Sequence, residues 1–280
     1  MTALKYATTY ARRAGLTRDL PEGDNEDLRW VSNTATLIYG EREAVLVDTF
    51  TTIEQNEELI DWVRGFDRNL TYVYVTHGHG DHCFGVKQLQ EAFPGVRAVA
   101  TAGTVEACRQ QGSQEFVDSF WGALFPGQIP MPQVAPEALD GDGFELEGHR
   151  LEVIETGFTD TLDSTALWVP DLRLLVAGDV AYNGIHLYTP ETTTETRDAW
   201  ANAIDDLEGL DPAFVVAGHK RPELDDDPAI LAETQQYLRD FNRVEAETTT
   251  SRELYEAMLS LHPDRANPGA LWGGAKAAKA

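Results

Sequence analysis

Cysteine is nearly absent from this chain, with two in 280 residues, and basic side chains are few, with 22 Lys and Arg against 47 Asp and Glu. Two cysteines, Cys83 and Cys108, can pair only once, so a disulfide framework is excluded and reduced thiols are expected. The formal charge of -25 repels phosphate backbones, since nucleic-acid affinity depends on Lys and Arg displacing counterions. Nucleic acid is therefore not an expected partner. Long apolar runs are missing too: no stretch approaches the roughly 18 residues of a membrane span, and Met1 to Gly15 lacks the apolar core of a signal peptide. Location in the cytoplasm follows as the expectation, with no membrane partner.

What remains is ordinary globular material, 42% hydrophobic and 25% charged, enough to bury a core. Apolar runs rich in β-branched residues at Thr34–Tyr39, Ala44–Phe50, Tyr72–Thr76 and Val96–Ala100 read as strands. Between them, Thr52–Gly65 and His82–Phe93 carry helical spacing. A Pro- and Gly-rich passage from Phe125 to Gly143 reads as an irregular connection. Strand patterns resume at His149–Thr156, Ser164–Val169, Leu172–Ala177 and Phe214–Ala217, with a helix over Thr196–Leu210 and helical spacing from Pro228 onward. The alternation predicts an α/β fold, one domain over residues 1–262 and a frayed C-terminal tail over 263–280.

Chemistry is concentrated in one run, His77-Gly78-His79-Gly80-Asp81-His82, between an apolar strand and a helix. Three imidazoles and a carboxylate within six residues suit zinc, iron or manganese, and Gly78 and Gly80 are expected to free the backbone so that the ligands converge. Two further segments, Ala177-Gly178-Asp179 and Ala217-Gly218-His219, each place a ligand-type residue just after an apolar strand.

These motifs, in this order over roughly residues 30 to 220, resemble the metallo-β-lactamase superfamily. The resemblance implies a four-layer αβ/βα sandwich with metal held at one edge between the sheets. It implies that His77 and His79 bind a first ion, that Asp81, His82 and His219 bind a second, and that Asp179 bridges them. It also implies a histidine where this chain has Phe158, in Gly157-Phe158-Thr159-Asp160. Phenylalanine offers no lone pair, so the first ion is expected to bind weakly and Phe158→His to raise metal content, unless another residue completes the site. Asp160 and His186 are the candidates for that. Phe158, Asp160, Tyr182 and His186 are placed provisionally at the substrate pocket, with Trp121, Phe120 and Phe125 as either its roof or core. His149 is expected to be exposed.

The implied activity is hydrolysis of a small ester, lactone, thioester or amide by a metal-activated water, with Asp81 orienting the nucleophile. One or two zinc ions lead the cofactor expectation, with iron or manganese as alternatives. An iron-dependent oxidoreductase and a degenerate binding protein are the competing classes.

Overall fold

The computed structural model describes residues 3–13, 21 and 30–280. The reading of Met1–Gly15 as lacking a leader falls partly on residues 1, 2, 14 and 15, outside the described residues. Among the described residues, eleven strands form one curled sheet: β1 (Lys5–Arg13), β2 (Trp30–Tyr39), β3 (Glu43–Val47), β4 (Asn69–Tyr74), β5 (Arg97–Ala100), β6 (Glu137–Ala138), β7 (Gly143–Leu146), β8 (His149–Gly157), β9 (Ser164–Val169), β10 (Leu174–Asn183) and β11 (Phe214–Lys220). Their order is β6-β5-β4-β3-β2-β11-β10-β9-β8-β7, with β1 on β2.

The two halves meet at β2 and β11, which pair antiparallel at His219 and Asn33. Three apolar cores separate four layers. One lies between the halves and includes Ile38, Val45, Tyr74, Leu167 and Val216. The other two lie outside, beneath the helices of each half, around Leu46, Leu59 and Leu89 and around Trp200, Ile204 and Leu238. This is the αβ/βα sandwich that the resemblance implied. Among the described residues, no helix is long and apolar enough to cross a membrane.

Local sequence explains most boundaries. Helix Ile53–Arg64 starts at a capping box in which Thr52 accepts from the Gln55 N–H and Gln55 reaches back to the Thr52 N–H, and it buries Leu59, Ile60 and Val63. The single helix expected over His82–Phe93 is instead two, Gly80–Cys83 and Val86–Ala92. Thr49 causes the break: its N–H and hydroxyl both donate to the His82 carbonyl, and its oxygen accepts the Gly85 N–H. Backbone groups that would continue the helix are thereby diverted.

The tail expected to fray contains a helix, Pro268–Ala278, with Leu271 and Ala275 buried in the core. Its Gly274 sits so close to the chain that a Cβ there would lie 2.0 Å from Thr189 Oγ1. His149, expected to be exposed, is buried and its Nδ1 contacts the Asp171 carboxylate. Cys83 and Cys108 are both buried free thiols.

Candidate metal centre

The His77–His82 run begins three residues beyond β4 and turns into the short helix Gly80–Cys83, so its side chains project at the seam between the sheet halves. Neither Gly78 nor Gly80 adopts a positive φ. Close packing, rather than conformational freedom, demands glycine here: a Cβ at Gly78 would lie 2.2 Å from Ala107 Cβ, and one at Gly80 would lie 2.3 Å from the Phe84 ring. Left-handed backbone is used at Gly178 instead (φ 51°), where the register of β10 against β11 slips and a bulge carries Asp179.

The structure brings together all six residues expected as ligands, and adds Asp160. Ligand atoms of His77, His79 and Asp160 lie within 4.8 Å of one another, as do those of His77, His82 and Asp179, and those of Asp81, His82 and His219. Asp160 Oδ2 stands 2.9 Å from His79 Nδ1 and 3.8 Å from His77 Nε2. Asp179 Oδ1 is 3.4 Å from His82 Nε2, and its Oδ2 is 3.2 Å from His219 Nε2. Asp81 Oδ2 is 3.5 Å from His219 Nε2. All seven residues are buried.

Every imidazole is fixed through the nitrogen that faces away from the cluster. Thr76 donates its hydroxyl to Asp48 Oδ2 at 2.8 Å, so its oxygen is left to accept from His77 Nδ1 at 3.1 Å. His82 Nδ1 donates to the same Asp48 oxygen at 3.0 Å. His79 Nε2 donates to Glu191 Oε1 at 3.0 Å, and His219 Nδ1 to the Ser32 carbonyl at 3.3 Å. Each ring thus turns its other nitrogen inward, the arrangement in which outer partners set the tautomer of metal-binding histidines. The carboxylates are held likewise: Asn33 Nδ2 donates to Asp81 at 2.9 Å, and the Tyr182 hydroxyl to Asp179 at 2.7 Å.

Four inward atoms, His77 Nε2, His82 Nε2, Asp160 Oδ2 and Asp179 Oδ1, are buried without a hydrogen bond among the described residues. A Cβ added at Gly218 would lie 2.2 Å from Asp179 Oδ1 and 3.0 Å from His82 Cε1, so glycine there keeps the space between them open. Buried polar atoms left unpaired are costly, and a cation coordinated by them removes that cost. The donor set fits a metal ion.

Burial and mutual charge act on these groups in opposite directions. Burial favours neutral imidazole, yet Asp179, Asp81 and Asp48 outweigh it at His82 and lift its pKa to about 10. At His79, burial is likewise overcome by Asp160 and Glu191. His77 is driven down by burial and by the charge of His82. Burial raises Asp160, against the pull of His79. Asp179 falls well below the ordinary carboxylate value, because His219 and His82 override the effect of burial.

A cavity of about 380 Å³ opens onto the cluster, lined by His79, Asp81, Asp179 and His219 on one side and by Phe120, Trp121, Tyr182, His186 and Tyr188 on others. Tyr182 and His186 both line this cavity. Phe158 does not line this cavity; it is half-buried just past the end of β8, and the turn after Gly157 (φ 72°) brings Asp160 rather than Phe158 to the cluster. Phe125 is core and not roof. Sequence reasoning missed Asp48, Glu191 and Asn33. Asp48 carried a faint signal, a lone acid inside the apolar run Ala44–Phe50, and it adopts a left-handed conformation (φ 63°) that is strained for a residue with a side chain.

The family model described as the metallo-beta-lactamase superfamily matches residues 28–219. The chain is similar to the metallo-beta-lactamase type 2 of Bacteroides fragilis, 22% identical over 192 residues that make up 68% of this chain and 69% of that protein. It is 25% identical to the metallo-beta-lactamase type 2 of Bacillus cereus over 164 residues, spanning 58% of this chain and only 56% of that protein. Among solved structures, a metallo-beta-lactamase from Pontibacter korlensis superposes with a TM-score of 0.60 at 20% identity, covering 85% of this chain and 96% of that one. The DIM-1 metallo-beta-lactamase gives 0.60 at 21% identity, covering 84% and 92%.

Proposed function

The chain belongs to the metallo-β-lactamase superfamily, whose model matches more than half of it, and from that premise we propose that it is a metal-dependent hydrolase of a small ester, lactone, thioester or amide. The observation that carries this reading is the set of buried, inward-facing His and Asp atoms left without hydrogen bonds beside an open cavity.

In this reading His77, His79 and Asp160 hold a first ion, Asp81, His82 and His219 a second, and Asp179 lies between them. A divalent ion so held supplies Lewis acidity and lowers the pKa of water toward neutrality. The protein's own contribution is placement. Asn33 keeps Asp81 oriented toward the cavity, where its carboxylate can align a nucleophile. Tyr182 fixes Asp179, and Asp48 fixes both His77, through Thr76, and His82. Burial of the cluster excludes bulk water and strengthens each electrostatic contact.

Replacing the superfamily's third histidine with Asp160 adds a hard oxygen donor, and this favours iron and manganese relative to an all-imidazole site. An iron-dependent oxidoreductase is therefore the second reading, and metal identity separates the two. Elemental analysis of protein purified without added metal, followed by a hydrolysis assay on an ester, lactone, thioester and amide panel before and after chelation, tests the proposal. Hydrolysis lost on chelation and restored by zinc or manganese is expected. Turnover that survives complete metal removal would refute it, and oxygen consumption by an iron-loaded protein would favour the alternative.

A further inference from the structure

We infer that the cavity selects uncharged ligands bearing an apolar aryl or medium-length acyl group, and discriminates against carboxylates of the same shape. The inference rests on the hydrolase reading for the reaction but on the cavity wall for the selectivity.

One wall comes from residues 114–124, which present Phe116, Phe120, Trp121 and Leu124. The indole is held by its Nε1 donating to Gln111 Oε1 at 2.7 Å, which engages the carbonyl oxygen of that amide. The helix Pro268–Ala278 contributes Gly269, Ala270 and Gly273, small residues that widen the space facing the aromatic wall. A wall of rings and small residues takes apolar groups by the surface it removes from water.

Charge decides the rest. Among the described residues, no lysine or arginine lines the cavity, while Asp81, Asp179 and Glu191 do. Two dications in the cluster would be balanced by the four carboxylates Asp81, Asp160, Asp179 and Glu191, leaving no surplus positive charge for an anionic ligand. The chain's charge of -25 repels such a ligand further at long range. His186 adds a polar group without charge: burial and Arg265 drive its pKa down to about 3. Tyr237 meets its Nδ1 at 3.0 Å, and its buried Nε2 has no hydrogen-bond partner among the described residues. A neutral imidazole can pair with a carbonyl or hydroxyl but cannot neutralise a carboxylate.

The test uses metal-loaded protein and two matched pairs. Phenyl butanoate and 4-carboxyphenyl butanoate report turnover by pH-stat, and N-phenylbutanamide and 4-(butanoylamino)benzoate report binding by calorimetry. The neutral member of each pair is expected to exceed its anionic partner by at least about tenfold, in kcat/KM or in affinity. Phe120→Arg, at the half-open rim, should shrink that ratio toward one with metal content unchanged. If neither ester is cleaved while the amide pair keeps its preference, ester hydrolysis is struck from the proposed function and the selectivity stands. Equal or tighter binding of the carboxylate, preferred cleavage of a carboxylate-bearing penicillin, or no binding of either amide overturns the inference.

Discussion

Asp160 Oδ2 lies 2.9 Å from His79 Nδ1, so of the two candidates to stand in for the histidine that the family resemblance implied at Phe158, it is the one that reaches the cluster. On the proposed reading Asp160 gives the first ion a third protein donor beside His77 and His79, and the expected benefit of adding a histidine at Phe158 disappears. Phe158→His should leave metal content unchanged, whereas Asp160→Ala should lower affinity for the first ion by about 100-fold or more, at the upper end of what even outer partners of a ligand contribute. Elemental analysis after dialysis against a graded chelator distinguishes the two. A gain of metal in Phe158→His, with no loss in Asp160→Ala, would return the ligand role to position 158.

Gly218 tests the second site without removing any ligand. A methyl group there enters the space that Asp179 Oδ1 occupies, at 2.2 Å, against a β11 backbone held on both sides by β2 and β10. Gly218→Ala should push Asp179 aside and reduce bound metal by about tenfold or more. The methyl also meets the Gly178 backbone carbon at 2.9 Å, so the metal content is read only in protein whose far-ultraviolet circular dichroism matches the parent. Normal metal content in a normally folded Gly218→Ala protein would mean that the cluster does not hold the ion.

Much of this site was legible from sequence because ligand-type residues are rare in this chain and stand directly after apolar strands. Seven histidines in 280 residues make three in six positions conspicuous, and Asp179 and His219 each follow a recognisable strand. The roles of Asp48 and Glu191 were not legible: beyond the faint mark of an acid in an apolar run at Asp48, the histidine each orients is 34 or 112 positions away. No local pattern encodes such a pairing. The helix Pro268–Ala278 escaped notice for a different reason, since Gly and Ala give little hydrophobic periodicity and its anchoring depends on close approach to Thr189. His82–Phe93 read as one helix because Thr49, which breaks it, comes from another part of the chain.

Metal affinity should rise with pH. In the metal-free protein His82 is lifted to about 10, so near pH 7 it carries a proton that an incoming ion must displace. Raising the pH from 6 to 8 lowers that cost, by up to about tenfold in affinity per unit for each proton released. Competition titrations against a chromophoric chelator at three pH values measure the slope, and a flat profile contradicts the protonation pattern. The same shift acts on stability in the opposite sense. A histidine whose folded pKa is raised stabilises most below its unfolded value and loses that contribution as pH climbs through the folded one. Metal-free protein should therefore melt at progressively lower temperature as pH approaches 10.

Leu271 is fully buried in the core shared with Tyr255 and Phe241, on the helix whose Gly269, Ala270 and Gly273 line the cavity. If that helix is an integral wall, Leu271→Ala should cost about 3 kcal/mol, as expected for a buried leucine truncated with incomplete collapse of the space it leaves. Urea unfolding would show this as a lower midpoint with an unchanged slope. Leu271 is not among the residues of the metal cluster, so metal content should persist while KM for apolar substrates rises through a loosened wall. A variant as stable as the parent would mean that residues 268–278 dock only weakly, and that the cavity is bounded by the segment 114–124 alone.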